Sequence, residues 1–244
     1  MIWVPDATGR FGERPHYEPN ELDVDCEATI EDVLLKRHGK IEYPVSTEDL
    51  FFMLEQVACV DAYADLDQVE ADVWGESEFL PGEQPRVRIW RDLTEKDRYE
   101  NPLRTTITHE FTHVRHHGPL FELHRSQAAL FSGNGNKTWV CKREQVEGHG
   151  KHDWMEWQAG YCSGALLMPR QALRGVFTLF LKDHNLVAAQ VGKGTLEEIE
   201  LVTTVVKRFG VSREAASVRL RQLRYLVDGG AGSIHFALEK FLAG

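Results

Sequence analysis

The sequence has few cysteines, no excess of glycine or proline and no long apolar run, and each of these features excludes a class of protein. Its 4 cysteines are widely spread and form no C-x-x-C pair, which argues against a disulfide-stapled secreted domain. With 20 glycines and 9 prolines in 244 residues, the chain is not of the disordered or collagen-like kind. The apolar runs at 165–168 and 175–181 are too short to span a bilayer, and the N-terminal segment is not a secretory signal. We therefore expect a globular, cytoplasmic protein without a membrane partner.

Charge is also unevenly distributed. The chain carries a net charge of −10, but residues 1–100 hold 25 acidic and 10 basic side chains, whereas residues 101–244 hold 13 and 18. The acidic N-terminal part does not favour binding to nucleic acid. The more basic C-terminal part could bind nucleic acid only at local basic patches.

Periodicity predicts helices around a short alternating region. Helical spacing and capping signals predict helices over 28–38, from Ser46 onward, and over 103–117, 153–167, 170–183, 195–209 and 213–227. Alternation over 60–66, 69–73 and 87–89 predicts three strands of a small, half-buried sheet. The sequence therefore predicts an α+β fold.

Three regions follow from this pattern. Prolines at positions 5, 15 and 19 favour an irregular N-terminal arm over residues 1–26. Residues 27–183 are expected to form a helix-rich core, in which 118–152 shows no clear period and is interpreted as a loop insertion. Residues 190–244 are expected to form a separate helical module.

The segment THEFTHVRHH contains the H-E-x-x-H pattern of a metal site. His109 and His113 are four residues apart on a predicted helix, so their imidazoles lie one turn apart and can converge on one tetrahedral ion. Glu110 projects beside them, where a carboxylate can take a proton from a metal-bound water. The alternative to a metal site is an exposed helix that is simply rich in histidine, because His116 and His117 follow directly.

A zinc ion in a catalytic site needs a third protein ligand and one open position. Glu156 has the best setting, because Gly160 and Ser163 on its helical face would let that helix approach the motif helix closely. The other candidates for this ligand are His116, His117, His124, His149, His152 and Asp153.

Two segments together, RTTITHEFTH and EWQAGYCSGALLMP, resemble the ImmA/IrrE family of zinc metallopeptidases over roughly residues 28–180. That family pairs H-E-x-x-H with a downstream E-x-x-A-N-x-F-A-x-x-L-L-M-P helix. The resemblance implies a zincin-like core with His109, His113 and Glu156 as zinc ligands and Glu110 as the catalytic base. Gly160 and Cys162 replace the family's usual Asn and Phe.

Two further sites are weaker candidates. Tyr161 or a loop histidine could donate to the oxyanion of a reaction intermediate. The residues Cys141, His149, His152 and Cys162 could form a second metal site, although their spacing matches no known zinc module, and ordinary loop and core roles are favoured.

The last two helices resemble a helix-turn-helix unit. Thr195 and Ser212 are their expected N-caps, and a Gly-containing turn joins them. The second helix carries candidate contacts for DNA or a protein partner at Arg213, Arg219, Arg221 and Arg224, against the simpler role of a solvated helical hairpin.

The sequence thus predicts a zinc-dependent intracellular endopeptidase. Family resemblance alone suggests a regulatory protein, such as a DNA-binding repressor of a mobile element or stress response, as its substrate. The alternative is a zinc-stabilised regulator that binds DNA through the C-terminal helices and has no proteolytic turnover.

Overall fold

A computed structural model describes residues 1–66, 73–132, 139–144, 153–187 and 190–228. Its helices are α1 Pro19–His38, α2 Thr47–Glu55, α3 Arg91–Glu95, α4 Glu100–Thr112, α5 Gly118–Ser132, α6 Trp154–Leu167, α7 Arg170–Asp183, α8 Leu196–Phe209 and α9 Arg213–Gln222. Its strands are β1 Ile2–Pro5, β2 Glu13–His16, β3 Cys59–Ala64, β4 Val73–Phe79, β5 Arg86–Trp90, β6 Trp139–Glu144, β7 Val191–Gly192 and β8 Leu226–Val227. The α+β prediction is confirmed.

Contacts between Cα atoms divide the chain into two compact units, Met1–Leu166 and Leu167–Gly244. The helix α7, which we expected to complete the peptidase core at residue 183, groups with the C-terminal helices. In the described part of the chain, no helix is both long and apolar enough to cross a membrane.

The expected irregular arm over residues 1–26 is wrong, because these residues form a hairpin and the start of α1. Strands β1 and β2 pair antiparallel, with Trp3 opposite Pro15. Proline is tolerated there because both strands are edges of a two-stranded sheet. The carboxylate of Asp6 fixes the connecting turn by accepting from the backbone N–H groups of Thr8 and Phe11, each at 3.0 Å.

Helix α1 begins nine residues before the predicted start, since Pro19 occupies its first turn and needs no N–H partner there. The predicted C-cap is confirmed: Gly39 adopts a left-handed conformation with φ of 70°. Ser46 caps α2 as expected, and its hydroxyl accepts from the Asp49 N–H at 3.0 Å.

The main sheet has the strand order β3-β5-β4-β6. Strand β5 is parallel to β3 and antiparallel to β4, and β6 pairs antiparallel with the other side of β4. The second predicted strand, over 69–73, falls mostly outside the described residues, and the observed strand runs from Val73 to Phe79.

The expected loop over 118–152 is wrong for its described parts, because it contains α5 and β6. The segment that forms α5 shows no clear apolar period in the sequence. Strand β6 is stabilised by its pairing with β4, a long-range contact that local pattern does not reveal.

The core of the first unit lies where α1, α2 and α4 meet the sheet. Its fully buried side chains include Leu22, Ile30, Leu50, Val87, Ile89 and Ile107. Helix α4 contacts both α2 and β4, so the motif helix is held between helical and sheet layers.

The second unit contains α7, α8, α9 and a short parallel pair of strands, β7 and β8. Thr195 and Ser212 cap α8 and α9 by accepting from the N–H groups of Glu198 and Ala215. The predicted helix over 213–227 ends early, at Gln222, and Arg224 follows in a left-handed conformation with φ of 59°.

Candidate metal centre

The end of helix α4 and the next residue, His113, place the H-E-x-x-H motif in the protein interior. His113 and Glu110 have no exposed surface and His109 is 5% exposed, while Ile107 and Phe111 fill the apolar face of the helix. Strands β4 and β6 and the helix bearing Glu156 pack against α4 here, and the Glu156 side chain keeps 18% of its surface exposed.

Three side chains converge at this buried face. The Nε2 atoms of His109 and His113 lie 3.0 Å apart, and the Glu156 carboxylate lies 3.1 Å from the first and 3.3 Å from the second. Their donor atoms all lie within 4.8 Å of one another. Two imidazoles and one carboxylate are the donor set of many catalytic zinc sites. The structure thus brings together the three predicted ligands.

Electrostatics favours a charged carboxylate at this position. Burial acts to raise the pKa of the Glu156 carboxyl, but hydrogen bonds with His109 and His113 hold it well below its usual range. An ionised carboxylate is the form that binds a cation.

A buried hydrogen-bond chain supports His113 from behind. Its Nδ1 atom lies 2.9 Å from Nδ1 of His117, whose Nε2 lies 3.0 Å from Oε1 of Gln158. Since the amide oxygen only accepts, His117 carries its proton on Nε2 and accepts on Nδ1. With a metal bound, His113 would then donate from Nδ1, and its Nε2 would be left to bind the cation.

The turn between α4 and α5 contains His113 and His117, the first two members of this hydrogen-bond chain. Residues His113–His117 form one π-helical turn, in which the Gly118 N–H bonds to the His113 carbonyl. The prediction of a regular helix to residue 117 is therefore corrected. His117, a candidate third ligand, instead positions His113, and burial together with His113 holds the pKa of His117 well below its usual value.

Strand β4 contacts the side chain of Glu110. The Ser77 hydroxyl donates to Glu110 Oε2 over 2.5 Å, and both side chains are fully buried. A Cβ on Gly75 would lie 2.8 Å from Glu110 Oε1 and 2.7 Å from Thr106 Cγ2, so only glycine permits this close approach. Sequence reasoning missed both residues, because neither belongs to a motif.

Helix α6 approaches α4 as expected, but of the two small residues only Ser163 contacts α4, and Gly160 does not. The Ser163 hydroxyl lies 2.7 Å from the Thr108 hydroxyl, which ties the helices together near the cluster. Gly160 faces open space, with nothing within 4 Å of a Cβ built there.

The remaining candidate ligands have other contacts. His116 lies 3.4 Å from Asp25, His124 packs edge-on against Phe11, and Asp153 pairs with Arg10. His149 and His152 lie outside the described residues.

The same holds for the suggested oxyanion donor and the suggested second metal site, whose residues have other contacts or lie outside the described residues. The Tyr161 hydroxyl donates to Asp23 Oδ2 at 3.1 Å, which disfavours a role as oxyanion donor. In the suggested second metal site, Cys141 on β6 and Cys162 on α6 are both buried. The two histidines of that site, His149 and His152, lie outside the described residues.

One of the four arginines proposed to contact DNA or a partner is unavailable. Arg219 is completely buried, and its Nε donates to the Met168 carbonyl at 3.2 Å. Arg213, Arg221 and Arg224 are exposed.

Comparison with known proteins adds one match. The family model described as the IrrE N-terminal-like domain, a peptidase family, matches residues 147–221. The matched segment includes Glu156 and begins after α4, so the H-E-x-x-H motif lies outside it. Comparisons with curated proteins and with solved structures gave no match. The resemblance to the ImmA/IrrE family is confirmed over this segment, which makes the chain similar to metallopeptidases of the IrrE kind.

Proposed function

We propose that the protein is a zinc-dependent endopeptidase whose metal is held by His109, His113 and Glu156. The convergence of these three donors within 4.8 Å carries the proposal. Three protein donors leave one position for water, which is the arrangement of catalytic zinc sites. The match to a peptidase family over the segment that contains Glu156 supports it independently.

Zinc bound there would supply a Lewis acid that polarises the scissile carbonyl and makes water acidic. Glu110, one residue after a ligand on the same helix, accepts the proton from the attacking water and passes it to the leaving amine. Ser77 holds one oxygen of Glu110, which limits the rotation of the carboxylate. The burial of Glu110 strengthens its electrostatic effect on the reacting groups.

The substrate in this proposal is a regulatory protein, such as a DNA-binding repressor of a mobile element or stress response. Its support is the likeness to the IrrE family alone. We place the activity in the cytoplasm, since the four cysteines stand as free thiols.

The alternative is a zinc-stabilised DNA-binding regulator without turnover. It loses support from the burial of Arg219, which removes one of its four suggested contacts. A carboxylate in the position of Glu110 also has no purpose in a purely structural zinc site.

Cleavage by matched variants tests the proposal. Purified wild type, Glu110→Gln and the surface control Glu55→Gln are incubated with candidate repressors and with denatured casein, and zinc is measured in each. We expect zinc in all three and cleavage by wild type and the control only. Stoichiometric zinc without cleavage of any of these proteins by wild type would contradict a peptidase function.

A further inference from the structure

The β1–β2 hairpin contacts the beginning of α6, the helix that carries Glu156. Its register places Pro15 opposite Trp3. Opposed residues in an antiparallel pair either exchange two N–H···O bonds or form none, and proline has no N–H to exchange. The Pro15 carbonyl therefore points away from β1, and it accepts a buried hydrogen bond from Nε2 of Gln158 at 3.4 Å.

This contact fixes which end of the Gln158 amide faces His117. The buried Gln158 side chain lies between two groups, the Pro15 carbonyl and the imidazole of His117. A carbonyl oxygen only accepts, so the amide turns its NH2 group to Pro15 and its oxygen Oε1 to Nε2 of His117, at 3.0 Å. The reverse orientation would set two carbonyl oxygens against each other in the protein interior, where neither has water as a partner.

The orientation of the amide passes along the hydrogen-bond chain to His113. With its proton on Nε2, His117 accepts on Nδ1, which lies 2.9 Å from Nδ1 of His113. With a metal bound, His113 would donate from Nδ1 and keep Nε2 for the cation. Each bond in this series has one direction, because the Pro15 carbonyl at its end has no proton to donate.

The turn of the hairpin holds the same imidazole from a second side. Oδ1 of Asp6 accepts from the indole N–H of Trp154 at 3.1 Å, and both side chains are buried. The Trp154 ring packs edge-on against the imidazole of His117, with ring centroids 5.4 Å apart. The hairpin therefore restricts the rotation of the His117 ring as well as the position of its proton.

We propose that Gln158 is a positioning residue for the metal ligand His113, and that the β1–β2 hairpin sets its orientation through the Pro15 carbonyl. The proposal rests on the proposed function, in which His113 is one of three ligands. Loss of the Gln158 oxygen would let His117 take its proton on Nδ1. His113 would then face a donor instead of an acceptor, and its own proton would move to Nε2, the atom that must bind the metal.

The zinc affinity of two variants at this position tests the assignment without a measurement of activity. Gln158→Leu removes the acceptor, whereas Gln158→Glu keeps an oxygen toward His117 but buries a carboxyl group. Competition with a chromophoric chelator is measured on the full-length protein, with the exposed Gln56→Leu as the control. We expect Gln158→Leu to bind zinc about 10- to 100-fold more weakly than wild type, and Gln158→Glu and the control to bind it more like wild type.

A role in packing alone predicts the reverse order, because leucine suits a buried position better than a carboxyl group does. If Gln158→Glu binds zinc as weakly as Gln158→Leu or more weakly, or if all four proteins bind it equally, the role of Gln158 is overturned and the proposed function stands. No zinc binding by wild type would overturn both.

The tautomers of the wild-type histidines provide a second measurement if a variant does not fold. Long-range 1H–15N spectra of the zinc-bound protein distinguish protonated from unprotonated imidazole nitrogens. We expect His117 to carry its proton on Nε2 and His113 to carry its proton on Nδ1. A proton on Nδ1 of His117 would overturn the role of Gln158.

Discussion

The Ser77 hydroxyl and the Glu110 carboxylate form a fully buried hydrogen bond of 2.5 Å between strand β4 and helix α4. This bond fixes the proposed base relative to the sheet, whereas the helix alone would leave its side chain free to rotate. We expect Ser77→Ala to lower kcat about tenfold, since a hydrogen bond to a charged group contributes on the order of 1.5 kcal/mol.

The measurement is steady-state cleavage together with the zinc content. Because Ser77 does not belong to the ligand cluster, zinc should stay at one per chain in Ser77→Ala. Loss of zinc in parallel with activity would show a structural effect, and unchanged kcat would show that the bond does not position Glu110.

Gly75 leaves no room for a side chain between β4 and α4. A Cβ there would lie 2.7 Å from Thr106 and 2.8 Å from Glu110, so Gly75→Ala must displace one of them. We expect it to lower the free energy of unfolding by about 1–3 kcal/mol and to reduce cleavage. Urea denaturation measures the first effect. The control Gly175→Ala, at an exposed helical position with open space, should stabilise the protein by up to about 1 kcal/mol.

The contact between His113 and His117 predicts a change in zinc affinity. His117→Ala removes the acceptor that fixes the tautomer of His113, and losses of this kind weaken metal binding by about 10- to 100-fold. Competition with a chromophoric chelator measures the affinity. The control His184→Ala, in the second unit, should bind zinc like wild type; equal affinities in all three proteins would remove His117 from the site.

Asp25 predicts how stability depends on pH. Hydrogen bonds from His116 and Arg115 hold the pKa of the Asp25 carboxyl well below its usual value. Its contribution is therefore present above about pH 4, the pKa in the unfolded chain, and is lost as the pH falls toward the folded value. We expect Asp25→Asn to be less stable than wild type at neutral pH, and this difference to shrink as the pH falls below about 4.

Urea unfolding at neutral pH and near pH 3 measures this dependence. Asp32→Asn, which removes an exposed ion pair with Lys36, serves as the control and should change stability little at either pH. A constant difference between wild type and Asp25→Asn at both pH values would contradict the assignment.

The C-terminal helices allow a test of DNA binding that now excludes Arg219. If the module binds duplex DNA, combined replacement of the exposed Arg213, Arg221 and Arg224 by alanine should weaken binding and flatten its dependence on salt. Fluorescence anisotropy over a salt series measures both. Weak binding by wild type that does not change with salt would count against DNA as a partner.

The three residues of the buried cluster were predictable because their signal is local. Spacing of four residues on one helix selects His109 and His113, and the segment around Glu156 resembles a second motif. Caps such as Ser46 and Gly39 were predictable for the same reason, since each depends on residues within one helical turn.

The supporting residues were not predictable, because their roles come from contacts between distant elements. Ser77 meets Glu110 across 33 positions and His117 meets Gln158 across 41. Strand β6 was missed because its pairing with β4 outweighs a weak local pattern. Each of these contacts forms only in the folded protein, so the local sequence around each residue does not predict it.

Zinc binding by a ligand variant tests the central claim most directly. Zinc per chain and its dissociation constant are measured for wild type, Glu156→Gln and Glu55→Gln, an exposed control on α2. We predict one tightly bound zinc in wild type and the control, and affinity weaker by at least about 100-fold in Glu156→Gln, because the amide lacks the charge that the cluster supplies. Equal zinc affinity in all three proteins would contradict the proposed site.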